Sequence, residues 1–160
     1  MAKMKQDLSQ IKVLVVDDDE TMRDFMVRIT KRLGFAVDMA EDGEKAFELL
    51  RENNYLIVVT DIEMPAMNGI ELLAKIKKLS PPTHVIIVTG YVTRENILTV
   101  MRKGADTCIL KPLKSPERLE QALLRAAQMT QEWRDILVKM MKMEHESFEE
   151  IYARNESIPS

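Results

Sequence analysis

The chain has 160 residues, 46% of them hydrophobic and 31% charged, which suits one domain with a packed core plus an appendage. Lysine and arginine number 23 against 26 aspartates and glutamates, a net charge of −3, and that balance argues against a mainly electrostatic nucleic-acid binder. A single cysteine, Cys108, excludes an internal disulfide and a multi-cysteine zinc site; no apolar run approaches the ~18 residues of a membrane span. The first ten residues lack the apolar stretch of a secretory signal, so the expected location is the cytoplasm.

Residues 1–10 are expected to be a flexible lead-in. Ile11 to Val16 is a short β-branched run that predicts a strand buried on both faces, ending in Asp17-Asp18-Asp19-Glu20. Met22, Phe25, Met26, Ile29 and Leu33 recur at helical spacing, predicting a helix over Thr21 to Leu33 with Gly34 as its stop. Strands are predicted at Phe35 to Met39, Tyr55 to Thr60, His84 to Val88 and Thr107 to Leu110. Helices are predicted from Gly43 to about Asn53, from Ile70 to Leu79 and from Arg94 to Lys103. The alternation is βα repeated five times, hence an α/β fold with a parallel sheet covered by helices on both faces.

A fifth helix is predicted near Ser115-Pro116, with Ser115 as its N-cap. From Glu117 to Ile158 there is no glycine and no proline. Leu119, Leu123, Ala126 or Ala127, Thr130, Trp133, Leu137, Met140 and Glu144 fall three or four apart, and Ile136 and Met143 widen the stripe. One helix reaching about Tyr152, and two helices with a bend near Thr130, both fit this pattern. Residues 155–160 are expected to be disordered.

In an open parallel sheet, ligands gather at the C-terminal ends of the strands. Asp17 and Asp18 end the first strand, Asp61 the third, Thr89 the fourth and Lys111 the fifth. Three carboxylates this close repel one another and need a cation. Oxygen-only ligation with open positions suits Mg²⁺ better than zinc. A hydroxyl and an ammonium beside that ion suit an oxyanion such as a phosphoryl group, and a carboxylate can itself attack phosphorus.

These residues carry a family resemblance. The acidic pair in VLVVDDDE, Asp61 in VVTDIEMPAMNG, Thr89 in VIIVTG and Lys111-Pro112 in ILKP agree in order and spacing with a bacterial response-regulator receiver domain. The chain resembles that family over about residues 11–128. The resemblance implies a flavodoxin-like fold with strand order 2-1-3-4-5. It implies phosphotransfer to Asp61 from a histidine kinase or a histidine phosphotransfer protein. It also implies Mg²⁺ on Asp17, Asp18, Asp61 and the backbone carbonyl of Glu63. Lys111 and Thr89 would hold phosphoryl oxygens, and Pro112 resembles a cis-peptide proline. Two positions depart from the family's usual pattern. Cys108 stands where the family often has an aromatic ring coupled to the threonine, and Tyr91 flanks the site mouth instead. Glu63 also sets a carboxylate there.

His84 is expected to be a structural or surface residue, His145 to lie on a solvated helix face, and Cys108 to be a small buried hydrophobe. Residues 113–160 hold seven basic and nine acidic side chains, a poor DNA surface. Met129, Trp133, Met140, Met141 and Met143 form an adaptable apolar stripe that suits folding back, a partner helix or a dimer seam.

The domain division expected is therefore 1–10, 11–128, a helical extension over 129–154, and 155–160. The function expected is a non-enzymatic phosphorylation switch. Its output would be protein–protein interaction, or homodimerisation through the helix 4–strand 5–helix 5 face or the C-terminal helix. No nucleic-acid or membrane binding is expected. The alternative is the N-terminal receiver of a larger regulator whose catalytic or DNA-binding output lies beyond Ser160. A phosphatase or phosphotransferase of similar fold is the enzymatic rival.

Overall fold

Five short apolar segments dominate a computed structural model that describes residues 6–156. They form strands β1 (Lys12–Val16), β2 (Ala36–Ala40), β3 (Ile57–Thr60), β4 (His84–Thr89) and β5 (Thr107–Leu110). All pairs are parallel, in the order β2-β1-β3-β4-β5. This is the flavodoxin-like order that the resemblance implied. The helices are α1 (Glu20–Arg32), α2 (Gly43–Glu52), α3 (Gly69–Leu79), α4 (Arg94–Arg102) and α5 (Glu117–Glu156).

Burial on both faces explains why the strands read as continuous apolar runs. Side chains alternate across the sheet, so the core splits in two. Val13, Val15, Ile57, Val59, Ile86 and Val88 meet Met26 and Ile29 of α1 and Leu119 and Leu123 of α5. Leu14, Val16, Val58, Val85 and Ile87 meet Leu50 of α2, Leu72, Leu73 and Ile76 of α3, and Val100 of α4. Each fully buried leucine is worth about 2–5 kcal/mol against alanine.

Side chains also fix where the helices begin. Asp19, Asp42, Asn68 and Thr93 each accept a hydrogen bond from the first turn of α1, α2, α3 and α4, filling the backbone donors that a helix start leaves open.

Several boundaries differ from the sequence reading. The lead-in is partly built: Asp7 caps a 3₁₀ turn at Leu8–Gln10, and Leu8 packs on the core. Residues 1–5 lie outside the described residues. β3 starts at Ile57: Leu56 and Ile57 both pack on the α1–α5 half of the core, so strand alternation holds only from Ile57 on, and Tyr55 before it is buried with its hydroxyl donating to Asp38 at 2.5 Å. α5 begins at Glu117, and it is the carbonyl of Pro116, not Ser115, that accepts the first helical hydrogen bond, from Glu120. Between one tail helix and two, the structure has one. It runs through Asn155 and Glu156, two residues expected to be disordered; residues 157–160 lie outside the described residues. The chain divides into one compact unit up to Ala127 and a second from Gln128.

His84 has the structural role expected of it. Its Nδ1 lies 2.7 Å from Asp106, whose other oxygen accepts the Val85 amide. Burial alone would raise the Asp106 pKa, but the His84 and Val85 hydrogen bonds and the charges of His84 and Lys77 bring it below the ordinary value. A depressed carboxylate stabilises the fold above its unfolded pKa and loses that contribution as pH falls through its folded pKa. Asp106 is partly exposed, so solvent screening keeps the effect small. Asp106→Ala is therefore expected to cost about 1 kcal/mol at neutral pH. In urea titrations the gap to wild type should close on acidification below the ordinary aspartate range, and a gap independent of pH would refute this role.

Candidate functional site

β1 and β3 are neighbours although they are not consecutive, and their registers align Val16 with Thr60. The residues that follow are Asp17 and Asp61, so the switch in strand order sets two carboxylates side by side. The Asp61 amide donates to the Val16 carbonyl at 3.2 Å. β4 and β5 align Thr89 with Leu110, and the Lys111 amide donates to Thr89 O at 2.9 Å. Four strand ends thus deliver the polar residues to one edge, the expected ligand site of such a sheet.

Asp17 is fully buried, Asp61 is nearly so, and Asp18 is exposed. One carboxylate oxygen from each of the three lies within 4.8 Å of the others. The Lys111 ammonium answers this charge, with Nζ 2.8 Å from Asp61 Oδ2 and 2.9 Å from Asp17 Oδ2. Burial would lower the Lys111 pKa, yet its hydrogen bonds to Asp61 and Asp17 raise it above the ordinary value, so it stays charged. Burial, helped by the Asp61 charge, pushes Asp17 upward against Lys111 and the Asp19 amide. The remaining Asp17 oxygen accepts that amide at 2.9 Å.

The backbone after β3 shapes the Asp61 carboxylate. Asp61 Oδ1 accepts the amides of Ile62 at 2.7 Å and Glu63 at 3.3 Å. Thr60 Oγ1 donates to Asp61 O at 2.9 Å, and the Gly69 amide donates to Ile62 O at 2.8 Å. A Cβ on Gly69 would lie 1.9 Å from Asp61 O, so only glycine lets α3 start this close to the loop. Ala66 turns the loop with φ of 65°.

Thr89 is fully buried at the end of β4, and its Oγ1 accepts the Tyr91 amide at 3.1 Å. Tyr91 itself is exposed. The Lys111–Pro112 peptide is cis, as the resemblance implied. Cys108 is half-buried against the α2–α4 side of the core, and burial raises its thiol pKa, keeping it protonated. Asp18, Asp19, Asp61, Glu63, Met64 and Lys111 line one open cleft. His145 is exposed on α5, 3.7 Å from Glu149. Sequence reasoning missed Arg23, whose Nη1 donates to the Asp17 carbonyl at 2.9 Å; it sits on the second turn of α1, with no signal of its own.

The response regulator receiver domain family matches residues 13–124. The chain is 41% identical over 101 residues to a cyclic di-GMP phosphodiesterase of Thermotoga maritima, covering 63% of this chain and 27% of that protein. It is 32% identical over 120 residues to the transcriptional regulatory protein SrrA of Staphylococcus aureus, covering 74% of this chain and 49% of that protein. The chain therefore spans half or less of the length of these relatives. Among solved structures, a CheY-like receiver domain from Methanospirillum hungatei superimposes with a TM-score of 0.71 at 32% identity, over 76% of this chain and 98% of that one. The chain belongs to the response-regulator receiver family, a family of signalling phosphoacceptors in two-component systems. Among the described residues no helix is long and apolar enough to cross a membrane.

Gly69→Ala tests the loop directly. The clash with Asp61 O is with backbone, which cannot swing away. A loss of about 2 kcal/mol or more is expected by urea unfolding, and unchanged stability would show that the loop is not fixed by this contact.

Proposed function

We propose that Asp61 accepts a phosphoryl group from a histidine kinase or a histidine phosphotransfer protein, and that Asp17, Asp18, Asp61 and the Glu63 carbonyl hold the required Mg²⁺. One observation carries this reading: the Lys111 ammonium bridges Asp61 and Asp17 inside a three-carboxylate cluster. The donor set fits the ion, being hard oxygens with Asp18 open to solvent. When bound, Mg²⁺ supplies positive charge beside the phosphoryl oxygens.

The chain's own residues do the rest. Asp61 Oδ1 is tied to two backbone amides, so Oδ2 is the oxygen that attacks phosphorus. Its new P–O bond forms as the donor's P–N bond to imidazole breaks, and the imidazole keeps that electron pair. Lys111 then moves from Asp61 Oδ2 to a phosphoryl oxygen as a charge-assisted donor. Thr89 donates its hydroxyl to another, which draws on a side chain now accepting from Tyr91. Water attack on phosphorus later returns Asp61 and inorganic phosphate.

The switch reading follows from where these two residues sit. Thr89 and Lys111 end β4 and β5, so their shift biases the face of α4, β5 and α5. Leu98, Met101, Leu110 and Leu124 are exposed there, and they support output by protein–protein interaction. Cys108 leaves no ring to swing at its position, and Tyr91 is the aromatic next to Thr89.

With acetyl phosphate and Mg²⁺, the wild-type chain should gain one phosphoryl group by intact-mass measurement. Asp61→Asn should gain none while keeping its fold, since the amide oxygen can still accept from Ile62 and Glu63. Lys111→Met should slow acceptance at least tenfold, the loss of one charge-assisted hydrogen bond. A phosphorylated Asp61→Asn would overturn the assignment.

A further inference from the structure

The unit that begins at Gln128 is, among its described residues, a single helix. One of its faces is apolar. Met129, Trp133, Ile136, Met140 and Met143 follow one another at spacings of four, three, four and three, and all five are exposed. Leu137 flanks the same face and is exposed as well. The 4-3 spacing is that of a two-helix seam, and a lone amphipathic helix has nothing within its own unit to cover it.

We propose that this seam takes a second copy of the chain, parallel and in register. Charge complementarity, together with which facing residues are exposed, selects that occupant and that orientation. Lys139 precedes Met140 and Glu144 follows Met143, the two positions that flank such a seam. In a parallel in-register pair, Lys139 faces Glu144 of the second copy, and symmetry makes the pair twice. An antiparallel pair that lays Trp133 over Met143 sets Lys139 against its own copy and Glu132 against Glu146. Shifting that pairing by one heptad lays Met143 over Ala126, which is buried in its own core. Of these pairings, only the parallel one matches every seam residue with an exposed apolar counterpart and leaves no like charges opposed.

This inference is independent of phosphorylation at Asp61, and its tests need no phosphodonor. The full chain is expected to be a dimer by light scattering at tens of micromolar. Ile136→Asp, at an exposed position, should shift it to monomer, with dimer affinity at least a hundredfold weaker. Lys139→Glu should weaken the dimer severalfold, and adding Glu144→Lys should restore it. Trp133 is the only tryptophan, so its emission should move to the red in Ile136→Asp. In a Cys108→Ala background, Met140→Cys should cross-link the two chains on oxidation, because both copies of that position share a layer. A monomeric wild type, a dimer indifferent to Ile136→Asp, or failure of Met140→Cys to cross-link a proven dimer would each overturn the proposal.

Discussion

Three carboxylates and one ammonium at the end of a sheet are the constraint around which this molecule is arranged. Oxygens of Asp17, Asp18 and Asp61 lie within 4.8 Å of one another, and two of these side chains are buried. Such a cluster is unfavourable by itself, because burial disfavours each charge and neighbours repel. Lys111 offsets part of this, its ammonium 2.8–2.9 Å from Asp61 and Asp17. The compensation is incomplete: the Asp17 pKa still sits above the ordinary value. Burial is the main cause and the Asp61 charge adds to it; an additional cation beside these carboxylates would offset both.

The fold supplies this geometry through topology. Because β1 and β3 are adjacent, residues 44 positions apart stand side by side. Because β4 pairs with β5, the Thr89 and Lys111 backbones are coupled through one hydrogen bond, from the Lys111 amide to the Thr89 carbonyl. Apolar burial on both faces holds the strands so that their ends cannot drift. Gly69 matters for the same reason: it lets α3 start against the Asp61 carbonyl, and the Asp61 carboxylate is then held by two amides of the same loop.

Much of this was legible because the signals are local. The runs ending at Val16, Thr60 and Thr89 announce buried parallel strands, and the acidic pair, Asp61, Thr89 and Lys111 each stand at a strand's end. What was not legible depends on contacts distant in sequence. Tyr55 reads as strand by composition, yet its hydroxyl is drawn to Asp38 across β1, and β3 starts two residues later. Leu8 reads as part of a loose terminus, yet it finds the core beside α1. Arg23 reads as an ordinary helix-surface charge, yet it reaches back to the Asp17 carbonyl. The tail was ambiguous because neither a glycine nor a proline marks a break; the single helix that formed moves the apolar seam onto Met129, Trp133, Ile136, Met140 and Met143.

The identity of the atom that carries the phosphoryl group decides whether Asp61 is the phosphoacceptor. An acyl phosphate, unlike a phosphoester or phosphoramidate, is reduced by borohydride to an alcohol, so the modified residue can be read from a peptide map. After treatment with acetyl phosphate and Mg²⁺, the account predicts homoserine in place of aspartate at position 61 and at no other position. Reduction at Asp17 or Asp18, or a phosphoryl group that resists borohydride, would contradict it.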